Sequence, residues 1–446
     1  MNLYGTSLIN SKGHLEIGGV DVVDLVNKYG TPLYVLDENE IRRKMKEYVG
    51  TFKSYNIPFQ VAYANKALCT TTLCCIAESE GLSIEVVSGG ELYTAINAGF
   101  PANRIHFHGN NKSSAEIEMG IDLEIGAFVI DNLYEIEQIN NICEAKDKRI
   151  KALLRVTPGI EAHTHEYIQT GKEDSKFGFN LMEPAFEATQ KVINSPWIDL
   201  IGFHFHIGSQ IFDTTGFDKA IEKFAKLYQL VKTELGIEIP IINTGGGYGI
   251  SYTSEDAPLT PQQYVISIIE SVKKHFNNNG LSLPEIWIEP GRSIIGEAGT
   301  TLYRIGSIKD IPNLRKYIAV DGGMMDNPRP ALYQAKYDAL VANKILEKDS
   351  DYEIVTVAGR ACESSDILIK DIKLNSPKSG DILAVLCTGA YNYSMASNYN
   401  RVARPPIVLV NEGEADIIVK RETYEDLINN DIIPERIKRG NKVIVG

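Results

Sequence analysis

Long apolar runs are missing from this 446-residue chain. No stretch approaches the roughly 20 apolar residues that a membrane-spanning helix needs, so a soluble protein with no membrane partner is expected. Basic charge is also short: 45 Lys and Arg against 58 Asp and Glu leave a formal net charge of −13. That balance excludes nucleic acid as the main partner, because phosphate backbones demand clustered cations. Cysteine is scarce, and Cys69, Cys74, Cys75, Cys143, Cys362 and Cys387 show no C-x-x-C spacing. The usual zinc frameworks are therefore absent, and most of these thiols are expected to be reduced, small and buried. The opening MNLYGTSLINSKGHLEIGGV has no basic stretch followed by an apolar core and a small-residue cleavage site. No signal peptide is expected, and the cytoplasm is the expected location. Internal repeats, low-complexity segments and long linkers are not seen either.

What the chain has is alternation. Eight β-rich runs, PFQVAYANK (58–66), LSIEVVS (82–88), RIHFHG (104–109), GAFVID (126–131), IKALLRVTP (150–158), IDLIGFHFHIGS (198–209), IPIINTGGG (239–247) and EIWIEPGR (285–292), are separated by helix-like segments such as FDKAIEKFAKLYQLVKTEL. In those segments apolar residues recur at i, i+3 and i+4. Strands alternating with helices signal βα units and a parallel sheet, and this count predicts a (β/α)8 TIM barrel, which takes about 250 residues. A doubly wound open sheet is the alternative. After Gly296 the pattern changes to short β runs between Gly, Pro and Asn signals, as in KYIAVDGG and GDILAVLCTGA. These predict a second, mainly antiparallel β domain, barrel or sandwich. The β-like runs HLEIGGV and TPLYVL near the N-terminus are expected to join it. The expected division is thus 37–296 for the barrel, and 1–36 with 297–446 for the β domain.

Barrel enzymes carry their reactive groups at the C-terminal ends of the strands. Lys66 ends the first run, His206 and Ser209 the sixth, Gly245, Gly246 and Gly247 the seventh, and Glu289 and Arg292 the eighth. All are expected on one face. The run NTGGGYG lets the backbone approach an anion and aim N–H groups at it. A tight βα turn would have the same composition, but phosphate sites recur near the seventh and eighth strands of this fold. A lysine at a strand end is most often a solvated rim charge. A reactive amine, a phosphate turn and a carboxylate across one barrel mouth are, however, what pyridoxal phosphate (PLP) needs. A Glu289–Arg292 ion pair without any cofactor is the alternative. His204 and His206 fall on one side of their strand, since side chains alternate. No third metal ligand at sensible spacing accompanies them, so no metal is expected. His206, nearer the strand end, is the better placed to lie against a planar ring.

Further segments turn these expectations into a family resemblance. YANKA around Lys66, VVSGGEL (86–92), HTHEYIQTGKEDSKFGFN (163–180), HFHIGSQ (204–210), TGGGYG (244–249), EPGRSI (289–294), VDGGMMDNPRPALY (320–333), CESSD (362–366) and GAYNYSMASNYN (389–400) cover nearly the whole chain. Together they resemble the fold-type III PLP-dependent amino-acid decarboxylases, in their diaminopimelate branch. The resemblance implies an alanine racemase-like barrel with PLP linked to Lys66 and its ring stacked on His206. Phosphate would be held by Ser209, the Gly245–Gly247 turn, Arg292 and Tyr391, and the pyridine nitrogen by Glu289. Arg292, Arg329, Tyr333, Glu363 and Tyr391 would contact substrate. Cys362, as the acid that returns a proton, and Glu363 would come from the partner subunit of a homodimer with shared active sites.

The implied reaction is decarboxylation of meso-2,6-diaminopimelate to L-lysine and CO2, the last step of lysine biosynthesis. A substrate with two amino-acid ends needs its far end recognised as a zwitterion. Arg329 offers a planar fork for the carboxylate and Glu363 a charge for the ammonium; Arg292 is an alternative holder of that carboxylate. Related decarboxylases of ornithine, arginine or carboxynorspermidine are the rivals within the fold. A PLP carrier without turnover and a racemase-like enzyme are the rivals outside that chemistry. Carriers are single-domain chains, and a racemase would be expected to use tyrosine where CESSD has cysteine. Met325 stands where relatives often carry a polar residue, and the residue before Arg329 varies; neither change removes a proposed catalytic group.

Overall fold

The computed structural model describes residues 3–160, 174–345 and 352–437. Residues 163–173 of the run beginning HTHEYIQTG lie outside the described residues. Near the N-terminus, β1 (Leu8–Ile9), β2 (Leu15–Ile17) and β3 (Val20–Asp21) form a small antiparallel sheet, and β4 (Leu33–Asp37) follows. Next come β5 (Phe59–Ala64), β6 (Ser83–Val86), β7 (Ile105–Phe107), β8 (Ala127–Ile130), β9 (Ile150–Thr157), the short β10 (Phe179–Asn180), β11 (Ile198–His204), β12 (Ile241–Asn243) and β13 (Glu285–Ile288).

Without β10, which pairs in parallel beside the end of β9, the strands from β5 on pair in parallel in sequence order. β13 pairs back onto β5 and β8 pairs β9, so the ring closes as an eight-stranded (β/α)8 barrel. The open sheet is excluded by that closing pair. All eight β runs of the sequence became barrel strands, although the last three stop well short of their ends. The sixth ends at His204 and the seventh at Asn243, because Gly208, Gly245 and Gly247 take positive φ and leave the extended region.

Two faces of each strand explain the apolar runs. In β8, Phe128 and Ile130 pack outward into the main core with the helices, while Ala127 and Val129 join Leu153, Ile241 and Trp287 in a separate inner cluster. Strands buried on both faces read as continuous hydrophobic stretches. The helices supply the outer wall. Thr215–Leu235 buries Phe217, Ala220, Ile221, Phe224, Tyr228 and Val231 on one stripe and stops at Gly236 in the left-handed region.

The remaining strands are β14 (Gly299–Ile311), β15 (Arg315–Val320), β16 (Ala339–Val341), β17 (Tyr352–Ala358), β18 (Ile367–Asn375), β19 (Ile382–Val385), β20 (Ile407–Asn411) and β21 (Glu414–Val419). They form a second sheet of order β18-β17-β15-β14-β4-β20-β21, with β19 pairing β14 and β16. It is mainly antiparallel; β15–β17 and β20–β4 are parallel. The N-terminal strand β4 thus sits centrally, between β14 and β20. Its Leu33 and Val35 enter the core of this sheet, whereas Tyr34 and Leu36 enter the barrel's core. None of the described helices is long and apolar enough to cross a membrane.

Candidate active site

The inner cluster of the barrel sets the register of everything above it. Side chains repeat every second residue along a strand. Two positions beyond Trp287, Ile241, Leu153 and Val129 stand Glu289, Asn243, Arg155 and Asp131. Beside them, β6 contributes Glu85, β11 contributes His204, and His108 follows β7. Apolar packing below and a polar layer at the strand ends therefore follow from one periodicity.

Lys66 lies in a single turn, Asn65–Ala67, directly after β5. The Ala67 carbonyl accepts from the Tyr391 N–H at 2.9 Å and the Ser394 hydroxyl at 3.0 Å, so the β domain holds this turn. Lys66 Nζ stands 3.2 Å from Glu85 Oε1. Loss of bulk water within the cavity works against its charge, but Glu85, then Tyr391 and Glu289, outweigh it and hold the ammonium above its ordinary range. Attachment of an aldehyde here would begin with loss of that proton.

Glu289 is held among three side chains. Asn243 Nδ2 donates to its Oε1 at 2.6 Å, His204 Nε2 meets its Oε2 at 3.1 Å, and His108 Nε2 lies 3.0 Å from Oε1. Burial alone would raise this carboxyl; the two histidines reverse that and hold it well below the usual carboxylate range. The ion pair with Arg292 that sequence allowed is not formed. Arg292 instead donates to Ser209 Oγ at 2.9 Å and to the Tyr252 hydroxyl at 2.5 Å. His204 falls in a cluster of ligand-capable groups, though not with His206: such atoms of His108, His204 and Glu289 lie within 4.8 Å of one another.

A cavity of about 540 Å³ opens over this layer, lined among others by Lys66, His206, Ser209, Gly246, Gly247, Glu289 and Arg292. Gly245 sits behind the lining, its N–H bound to Asn243 Oδ1 at 2.9 Å and its carbonyl to the Glu289 N–H at 2.9 Å. The glycines are required by contact. A Cβ on Gly246 would fall 2.1 Å from the Glu289 carbonyl oxygen, and one on Gly247, at φ +107°, 2.2 Å from that of Gly208. A backbone this close to its neighbours, with Ser209 and Arg292 at the same wall, makes a cradle for an anion. Of the residues lining the cavity, Glu85 and Arg292 each carry a buried atom, Oε2 and Nε, with no hydrogen-bond partner among the described residues.

Arg329, Tyr333 and Tyr391 line the same cavity. Arg329 opens the short helix Arg329–Tyr333. Its guanidinium donates to the Tyr337 hydroxyl at 2.5 Å and lies 4.4 Å from the Tyr252 ring centre. The Arg292 guanidinium lies 4.7 Å from the Tyr391 ring centre. Cys362 and Glu363 are exposed on the CESSD turn and are not among the residues lining this cavity. That turn is nonetheless well held. Asp366 accepts from the Ala361 N–H at 2.8 Å and the Met324 N–H at 2.7 Å, tying CESSD to the MMDNPRP loop, and the Cys362 N–H donates to Asn400 Oδ1 at 2.9 Å.

Sequence reasoning missed Glu85, His108, Asn243, Arg155, Tyr252 and Tyr337. Asn243 and Arg155 carry a readable signal, a polar residue two positions beyond an inward apolar one within a β run; Glu85 and His108 do not, since Ser83 and His106 precede them in the same phase. The two tyrosines had none, because only the packing of the β domain against the barrel brings them to the cavity.

Comparison with known proteins gives this geometry a family. Residues 38–296 match the family described as "Pyridoxal-dependent decarboxylase, pyridoxal binding domain". A diaminopimelate decarboxylase of Bacillus methanolicus is 56% identical over 95% of this chain and 98% of its own length. That of Bacillus subtilis is 55% identical over 97% and 98%. Among solved structures, diaminopimelate decarboxylase from M. jannaschii in co-complex with L-lysine superposes with a TM-score of 0.91 at 35% identity, covering 97% of this chain and 99% of that one.

Proposed function

The chain belongs to the diaminopimelate decarboxylases, which are pyridoxal-dependent, and from that premise we propose that it releases CO2 from meso-2,6-diaminopimelate and leaves L-lysine, with pyridoxal 5'-phosphate as cofactor. The carrying observation is that one cavity holds Lys66, a glycine cradle, Glu289 and two guanidinium groups, Arg292 and Arg329. One guanidinium serves the cofactor's phosphate and the other the far carboxylate of a substrate with two amino-acid ends.

The residues fit the cofactor. Ser209, Arg292 and the backbone of the Gly245–Gly247 turn, with Tyr391, would hold the phosphate, His206 would lie on the ring, and Glu289 would take the ring nitrogen. PLP, when bound, supplies an electron sink for the pair left on the substrate's α-carbon. Lys66 Nζ would be the amine that holds the cofactor, and Glu85, 3.2 Å from it, would receive the side chain when it is not so engaged. Arg329, fixed by Tyr337 and Tyr252, would grip the far carboxylate and so align the α-carboxylate for departure. Cys362 Sγ would return a proton to the α-carbon, and Glu363 would meet the far ammonium.

Both of these last groups lie outside the cavity of their own chain, which supports a homodimer whose partner subunit completes the site. The chain is further read as two domains, 37–296 and 1–36 with 297–446; the central place of β4 in the second sheet supports the grouping, and the ladder includes Asp37.

The protein with PLP, incubated separately with meso-diaminopimelate, lysine, ornithine and arginine, is expected to yield CO2 and L-lysine from the first alone. Turnover of ornithine or arginine in its place would overturn the substrate. Arg329→Lys is expected to raise KM for diaminopimelate about tenfold or more, since a lysine cannot reproduce a two-pronged contact, with PLP content unchanged. Equal loss of PLP would move Arg329 out of the substrate site.

A further inference from the structure

Glu289 draws more donors than a carboxylate needs merely to be buried. A carboxylate offers about four lone-pair sites. Asn243 and His108 converge on Oε1 and His204 on Oε2, while Glu289 still lines the cavity. Hydrogen bonds from Asn243 and His204 meet two of those sites, His108 stands close to Oε1, and the carboxylate keeps acceptor capacity for a ligand in the cavity. The clamp is rigid as well as polar. His108 and His204 are 3% and 1% exposed and pack edge to face, 4.9 Å between ring centres. Below them His106 stacks on Trp287 at 4.3 Å.

We propose that His204, as a hydrogen-bond donor to Glu289, and His108, packed edge to face against it and close to Oε1, are positioning residues that keep that carboxylate ionised and turned towards the cofactor's ring nitrogen, and so keep the ring nitrogen protonated. The inference rests on the PLP reading above. His204 acts as a neutral donor. Burial pushes its imidazole down to about 4, and with its proton on Nε2 the buried Nδ1 is a bare acceptor, in keeping with its having no hydrogen-bond partner among the described residues. A neutral donor is what the chemistry requires, because it orients the charge on Glu289 without cancelling it. His108 is close to Oε1 but not aligned as a hydrogen bond, since its Nε2 also has no bonded partner among the described residues; its part is electrostatic and steric. A ring nitrogen facing an ionised, fixed carboxylate keeps its proton, and only the protonated ring withdraws electrons strongly. Were Glu289 less well held, burial would favour its neutral form.

The test compares His204→Gln with His204→Asn in the PLP-loaded enzyme. Glutamine places an amide N–H where imidazole carries Nε2, whereas asparagine is too short to reach Oε2. The signal is the ¹⁵N resonance of ring-labelled PLP, which separates protonated from bare pyridine nitrogen, read alongside kcat and KM. Asparagine is expected to move the resonance towards the bare form and lower kcat about tenfold or more, the order expected when a buried charge loses a donor, with KM changed less than about threefold. Glutamine is expected to recover the protonated signal and most of the turnover. If the two variants behave alike, whether both normal or both impaired, the donor role is overturned. One tightly bound divalent metal per chain that either variant loses would overturn it too, by assigning the cluster to a metal. Failure of the wild-type protein to take PLP or to turn over would show before any variant is made, and would sink the functional reading itself.

Discussion

Lys66→Ala protein is expected to fold, to take up no covalently attached PLP, and to lose turnover by about a thousandfold or more, the scale of removing a covalent participant. Folding should survive because the amine faces the open cavity, with the side chain 43% exposed, and makes its ion pair with Glu85 there. Glu85 would be left without that partner at 3% exposure, which costs some stability. Chemistry should not survive, because no other described lysine lines the cavity near the glycine cradle except Lys336. That lysine is exposed and pairs with the equally exposed Glu255 at 3.8 Å. Borohydride reduction followed by peptide mass analysis reads the result. A variant that still carries a reduced cofactor adduct would shift the assignment to another amine.

Mixing two inactive variants should restore activity. Lys66→Ala removes the amine on the barrel, and Cys362→Ala removes the proposed proton donor on the CESSD turn, which is exposed in its own subunit. If each site takes its lysine from one subunit and its thiol from the other, a mixed dimer holds one intact site and one doubly damaged site. Random exchange of equal amounts then leaves about a quarter of the sites intact, a consequence of two-fold symmetry with sites shared across the interface. Assay of CO2 release before and after subunit exchange reads this directly. If activity stays at the level of the separate variants although exchange is demonstrated, the two residues serve the same subunit's site and the shared-site proposal falls. The prediction depends on Cys362 being reachable. Its turn is pinned by Asp366 and Asn400, so the thiol is presented on a fixed loop.

Most of the barrel was legible because its cause is local. Strands covered on both faces show as runs such as GAFVID, and helices as stripes such as FDKAIEKFAKLYQL; neither pattern depends on distant partners. The ends of the runs were less legible. IDLIGFHFHIGS reads as one strand until Gly208 adopts positive φ, and nothing in its apolar pattern marks His204 as the last paired residue. The candidate site divides in the same way. Lys66, His206, Ser209, Gly246, Gly247, Glu289 and Arg292 do meet in one cavity, as their places at strand ends predicted. Tyr252 and Tyr337 could not be found from spacing, since they meet edge to face, 5.3 Å apart, only when the β domain is seated on the barrel.

By itself, then, the sequence determined the order of strands and helices, the residue types at each strand end, and through the motifs the family. These follow from short-range sterics and from burial at periods of two and 3.6 residues, which every segment carries within itself. Only the tertiary structure decided which of those residues face each other. Closure of β13 onto β5 puts Glu289 against His108 and His204 rather than Arg292, and leaves Arg292 to Ser209. Such pairings depend on the curvature and register of the whole ring, so no local stretch of sequence contains them.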